Sequence, residues 1–181
     1  GLLFAVEPMF TRMVLPRFGG SASVWSVAIV FFQVMLLMGY LYAHALTRYL
    51  APRLAVLIHL ALLFLGMLFL PLSVRTGLLS VAGGGEELRL ILIFTASIGL
   101  PFVALSANAP LLQAWYSRSP LPRAHDPYPL YAASNIGSLA ALLAYPFLVE
   151  PVSTLSGQGL VWSVGYAALA LLIGSAGLGV M

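Results

Sequence analysis

Two opposite charges, Glu7 and Arg12, lie within the apolar stretch that opens this sequence. Charged side chains inside a membrane segment are costly, so they tend to face a bundle interior, a cavity or each other. Glu7 could then bind a proton or a cation, and Arg12 could hold an anion or a carboxylate. Five residues place the two about 140° apart on a regular helix, so we expect each to have different neighbours. The structural alternative is an interhelical salt bridge, or a position near the membrane interface.

A second group of side chains recurs at i, i+4, i+7 and i+11 and therefore shares one helix face: Gln33, Leu37, Tyr40 and His44. One interpretation is a pore-lining surface, with His44 as a pH-sensitive group near its mouth. The other is ordinary packing, in which Gln33 bonds to a neighbour, Tyr40 packs and His44 reaches towards the interface.

The third group is the tightest polar stripe in the chain, at i, i+3, i+4 and i+7: Tyr131, Ser134, Asn135 and Ser138. Small residues on the adjoining face would let another helix approach closely: Ala133, Gly137 and Ala141. We therefore expect one face to pack and its neighbour to face a cavity.

Residues 89–116 add polar side chains and helix-interrupting prolines to the same candidate cavity: Ser106, Asn108, Gln113, Pro101 and Pro110. Prolines free backbone carbonyls that need other partners, and interrupted helices often line transport sites. Proline is also commoner in membrane helices than in soluble ones, so the cavity is one of two interpretations. The residues that we predict to bind a solute are Glu7, Arg12, Gln33, Tyr40, Asn108, Tyr131, Ser134 and Asn135.

Catalysis and metal binding find no support in the sequence. The chain has no cysteine, and His44, His59 and His125 lack the spacing of metal ligands. His59 follows Arg53 closely, so we expect it near the membrane interface. No histidine and acid are placed to activate a serine, and we predict no catalytic residue and no cofactor.

The composition of the chain indicates that these residues lie in a membrane. Hydrophobic residues make up 61% of the 181 and charged ones 7%, against roughly 25% charged in soluble domains. The charges leave runs that reach the ~20 residues needed to cross a bilayer. We predict a single transmembrane domain over 1–181, all α-helical, with six helices at about 1–17, 23–47, 54–73, 89–116, 128–149 and 158–179. Because no Met precedes Gly1, we expect the first helix to begin upstream or to have been trimmed.

The arginines predict an orientation in the lipid bilayer. Four belong to one side, namely Arg48, Arg53, Arg118 and Arg123, and three to the other, namely Arg17, Arg75 and Arg89. Basic residues favour the cytoplasmic side, so we place the first group there, with both termini. Trp115 would lie at the cytoplasmic interface and Trp25 and Trp162 at the opposite one. Since the basic residues form no patch with aromatics, no nucleic-acid partner is predicted.

Four stretches resemble the membrane portion of the bacterial fused major-facilitator/spermidine-synthase-like family: EPMFTRMVLPRFGGSASVW, FFQVMLLMGYLYAHAL, APLLQAWYSR and DPYPLYAASNIGSLAALLAYPFLVEP. The resemblance implies a multi-pass protein of the bacterial inner membrane that forms one six-helix half, a 3+3 repeat, of a major-facilitator fold. A weak internal echo, with Pro8, Arg12 and Trp25 facing Pro110, Arg118 and Tyr131, agrees with such a repeat.

Fused members of that family also carry an aminopropyltransferase-like domain with a glycine-rich loop, and these residues contain no counterpart. The Gly83-Gly84-Gly85 run lies between hydrophobic helices and predicts a turn. We therefore expect this chain not to be an enzyme.

The resulting hypothesis is a transporter-like half unit that forms a solute pathway as a homodimer or with another membrane protein. Its solute would be small and polar or cationic. A polyamine is implied only by the resemblance, because Glu7 is the one carboxylate expected inside the bundle. The alternative is a scaffold or accessory subunit that docks through small residues of the last helix: Ala170 with Gly174, and Ser175 with Gly179.

Overall fold

The polar stripes lie on long helices, as the periodicity predicts. A computed structural model describes residues 1–20, 22–75, 85–118, 126 and 128–178. Within these ranges there is no strand. The helices are α1 Leu2–Phe18, α2 Ala22–Tyr49, α3 Pro52–Met67, α4 Glu86–Ser117, α5 Tyr128–Val152 and α6 Leu155–Leu178.

Four helices, α2, α4, α5 and α6, are long and apolar enough to cross a membrane. The expectation of six spanning segments is therefore only partly met. Helix α3 has 16 residues, which correspond to about 24 Å, less than the ~30 Å hydrocarbon layer, and α1 has 17. Helix α3 ends at Met67 rather than near 73, because Pro71 disfavours helical geometry at the residue before it.

Helices α4 and α5 each contain one π-helical turn, at Thr95–Gly99 and Tyr145–Val149. Pro101 follows the first and Pro146 lies inside the second. A proline has no N–H to donate to the carbonyl one turn earlier, and π turns relieve such interruptions of the hydrogen-bond ladder. Of the two prolines singled out in α4, Pro101 thus lies beside a π turn, whereas Pro110 lies inside a regular α-helical segment.

The core centres on α4. In its most apolar stretch 67% of the residues are buried, against 6% in the corresponding stretch of α5. Helix α2 packs along α4 with Gly39 facing Ser106, so that the backbone of α2 nearly touches the Ser106 side chain. Beside this crossing five phenylalanine rings contact each other at centroid distances of 4.9 to 5.7 Å: Phe10, Phe31, Phe32, Phe94 and Phe102. Such aromatic pairs stabilise a core beyond the area that they bury.

The remaining helices surround this centre in a regular pattern of pairs. Helix α1 packs on α2, α4, α5 and α6, and α3 packs on α2, α4 and α6. Helices α4 and α5 are also in contact. Helix α5 reaches α6 through Tyr145, whose hydroxyl donates to Gln158 Oε1 at 3.0 Å. Exchanging α1, α2 and α3 with α4, α5 and α6 maps these packed pairs onto one another, except that the counterpart of the α2–α3 pair is this single hydrogen bond between α5 and α6.

Small residues of α6 are used inside the bundle. Ala170 is buried, and a Cβ on Gly174 or Gly177 would lie 3.7 Å from Leu60 or 2.6 Å from Val56 of α3. Ser175 is exposed, while Gly179 lies outside the described residues. Ala170 is therefore not free for a partner, contrary to expectation, whereas Gly174 is partly exposed beside Leu60 of α3.

The arginines fall into the two predicted groups. Arg118 donates to the carbonyl of Thr47 at 3.1 Å, which joins the ends of α4 and α2. Arg17 donates to the carbonyl of Val74 at 3.4 Å, beside Arg75, and lines a surface pocket with Arg89. Arg123 lies outside the described residues.

The close crossing at Gly39 predicts a large effect of one methyl group. A Cβ there would overlap Ser106 Oγ and lie 2.9 Å from the carbonyl oxygen of Val103. We expect Gly39→Ala to lower the free energy of unfolding by about 1–3 kcal/mol, measured in detergent by denaturant titration. Gly137→Ala is the matched control, because nothing lies within 4 Å of its Cβ position. Equal stability of the two variants would contradict the crossing.

Candidate functional site

A polar pocket opens between α1, α2, α4 and α5, with a volume of about 150 Å³. Its inner wall is apolar and includes Phe32, Leu36 and Phe102. Its polar lining comes from all four helices: Glu7, Gln33, Tyr40, Ser106, Ser134, Asn135 and Ser138. Five of the eight residues predicted to bind a solute thus lie together, and the pocket is the candidate functional site.

Helical spacing brings these side chains to one place. Gln33 and Tyr40 are two turns apart on α2, and Ser134 and Ser138 are one turn apart on α5. Ser106, from the polar group predicted on α4, completes the pocket where Gly39 lets α2 approach. The pocket therefore depends on the central crossing of α2 and α4.

Glu7 supplies the formal negative charge of this lining. Its side chain is half-buried. Among the described residues, the salt bridge joins Arg12 to Glu150, and the Glu7 carboxylate takes no part in it. A carboxylate only accepts hydrogen bonds, whereas the surrounding hydroxyls and amides both donate and accept. The lining therefore complements a solute that carries a positive charge and N–H or O–H groups.

Arg12 lies outside the pocket. Its Nη1 is 2.5 Å from Glu150 Oε1, and the two side chains are 37% and 35% exposed. This salt bridge ties α1 to α5 and is the structural alternative considered for Arg12. Glu7 and Arg12 point to different neighbours, as their spacing predicts.

Asn108 and Tyr131 also lie outside the pocket. Tyr131 is exposed on α5 and does not line it. Asn108 is buried on another face of α4, where its Nδ2 donates to the carbonyls of Ala104 at 3.1 Å and Leu105 at 3.2 Å. Its Oδ1 lies 3.1 Å from Nε2 of His59. Because the amide nitrogen of Asn108 donates to backbone, its oxygen is the acceptor, and Nε2 of His59 carries the hydrogen.

His59 and Trp115, which we expect near the membrane interface, lie inside the bundle. His59 is fully buried and Trp115 is 3% exposed. Their ring centroids lie 6.2 Å apart, and the ring centroid of Tyr42 lies 6.0 Å from that of His59. Sequence reasoning missed this cluster; its signal is that His59 shares a helix face with Ala55, Leu63 and Gly66, which all face the core.

Comparison of the chain with protein-family models, curated proteins and solved structures gives no match. What the site can do is therefore argued from its own geometry.

The Arg12–Glu150 contact predicts a coupled pair. Arg12→Gln and Glu150→Gln should each destabilise the protein, and the double variant should cost less than their sum, because either change already removes the attraction. For a partly exposed pair the coupling is about 0.2–1 kcal/mol. Denaturant titrations of the four proteins in one detergent measure it. Additive losses would contradict the pairing.

Proposed function

We propose that this chain is a transporter-like half unit whose polar pocket becomes a solute pathway when a second copy, or another membrane protein, covers its open face. The observation that carries the proposal is the pocket itself: Glu7, two amides and several hydroxyls from four helices are gathered on one side of the bundle. The solute that fits it is small and cationic, with polar groups.

The polar face needs a cover other than lipid. Gln33, Tyr40 and Asn135 are exposed on it, and polar side chains in hydrocarbon are costly. Much of the remaining exposed surface of α2 and α5 is apolar, with Val30, Val34, Ile136 and Leu139 on it. The polar face calls for water or protein as its cover, which supports pairing through it.

The size of the pocket agrees with a missing wall. Small-molecule sites usually enclose about 300–1,000 Å³, and this pocket has about 150 Å³. A second copy laid across α1, α2, α4 and α5 would enlarge and close it. In major-facilitator folds the substrate binds between two six-helix halves near the midplane.

The pattern of helix pairs supports the 3+3 organisation of such a half. Apart from α5 and α6, which a single hydrogen bond joins, the packed pairs remain the same when the first three helices are exchanged with the last three, as expected when two three-helix repeats pack against each other. This agrees with the resemblance to the membrane portion of fused major-facilitator/spermidine-synthase-like proteins. A docking role for α6 is less favoured, because Ala170, one of the small residues expected on its docking face, is buried.

The charge of the pocket favours amines among cationic solutes. Carbonyl and hydroxyl oxygens of Gln33, Asn135 and Ser138 can accept N–H groups while Glu7 neutralises the charge. A polyamine, which the resemblance implies, would place one ammonium here. Its others would need the carboxylate contributed by a second copy.

Uptake into liposomes that contain the full chain tests this function. We expect labelled polyamine to accumulate in preference to an anionic solute of similar size. Glu7→Gln should reduce uptake about tenfold or more, since a hydrogen bond to a charged group contributes about 1.5–3 kcal/mol. Glu87→Gln, an exposed carboxylate of α4, is the matched control. Undiminished uptake by a correctly folded Glu7→Gln protein would remove Glu7 from the pathway.

A further inference from the structure

A second polar cluster surrounds His59, on the side of α4 that faces away from the pocket. Ser106 lines the pocket and Asn108 bonds to His59; two residues on a helix are about 200° apart. On α2, likewise, Tyr40 lines the pocket and Tyr42 packs against His59. The pocket and the His59 cluster therefore share α2 and α4 but lie on opposite faces of these two helices.

Unpaired polar atoms are concentrated in this cluster. Among the described residues, three buried side-chain atoms have no hydrogen-bond partner: Tyr42 Oη, His59 Nδ1 and Trp115 Nε1. One of them is on the His59 imidazole, and the other two are on the Tyr42 and Trp115 rings, whose centroids lie 6.0 and 6.2 Å from that imidazole. A buried unpaired polar group is destabilising. Three in one place indicate a common partner rather than three separate defects.

The donors and acceptors define the chemistry of that partner. His59 donates from Nε2 to Asn108, so its Nδ1 offers a lone pair. Trp115 Nε1 can only donate, and the Tyr42 hydroxyl can do both. A partner must therefore donate one hydrogen bond and accept at least one. None of the four side chains, Tyr42, His59, Asn108 and Trp115, is a carboxylate or a guanidinium, and a neutral partner satisfies these donors and acceptors.

We propose that Tyr42, His59 and Trp115 bind one water-sized neutral molecule that donates to Nδ1 of His59 and accepts from Nε1 of Trp115 and the hydroxyl of Tyr42. Water is the molecule of this kind that is always present, and buried waters make about three such bonds. The site joins α2, α3 and α4 near the bundle end that carries Arg118. This site shares no side chain with the pocket, and it does not rest on the transport proposal.

Tryptophan indole signals give a direct test, with a control inside the same chain. Trp162 is as buried as Trp115, but its Nε1 donates to the carbonyl of Leu2 at 3.0 Å. The full chain would be labelled with ¹⁵N-tryptophan in detergent micelles, and each indole signal assigned by a Trp→Phe variant. We expect a cross-relaxation peak between the Trp115 indole proton and long-lived water, and none for Trp162. Absence of the Trp115 peak overturns the proposal.

Removal of the Tyr42 hydroxyl gives a second readout. If that hydroxyl binds the molecule, Tyr42→Phe should lower the melting temperature by about 2–4 °C and weaken the Trp115 water peak. If it is simply unpaired, its removal should leave the melting temperature unchanged or raise it, which would exclude Tyr42 from the site as proposed. Tyr128→Phe, at a residue that is 76% exposed, is the control and should change neither.

Discussion

The contact of α2 with α4 at Gly39 determines where both polar clusters lie. Because Gly39 has no side chain, the backbone of α2 reaches Ser106. Near this contact, residues two positions apart on each helix point in opposite directions. Tyr40 and Ser106 face the pocket, while Tyr42 and Asn108 face His59. A wider crossing would separate each pair, so one glycine sets the geometry of two sites.

The bilayer imposes the other main constraint, since polar groups within it must find partners inside the protein. Many hydroxyls satisfy this locally by donating to a carbonyl of the preceding turn, as Thr11 and Thr95 do at 2.7 Å. Arg12 and Glu150 satisfy it by pairing between helices. Apart from Ser106, which donates to the carbonyl of Val103 at 2.9 Å, the side chains of the pocket are the exception, because they gather on an open face. That exception is what connects the fold to a proposed function.

The sequence predicts the helices well, because apolar runs bounded by charges and breakers are a property of the local chain. It also predicts the shared faces of Gln33 and Tyr40, and of Ser134 and Ser138, since these follow from helical spacing. It does not predict the partners of Asn108, His59 or Trp115. Periodicity tells which residues share a face, but not which helix that face meets, and nothing local distinguishes a buried histidine from an interfacial one.

On this account, the pocket face of α1, α2, α4 and α5 meets water, although it lies at membrane depth. Because the chain has no cysteine, single cysteines at Ser134 and Ile136 can be compared in membranes by their reaction rates with a charged thiol reagent, which attacks only hydrated thiolates. Both residues are exposed on α5, but on opposite faces. We expect Ser134→Cys to react quickly and Ile136→Cys slowly. Equal rates, or the reverse order, would contradict a water-lined pathway.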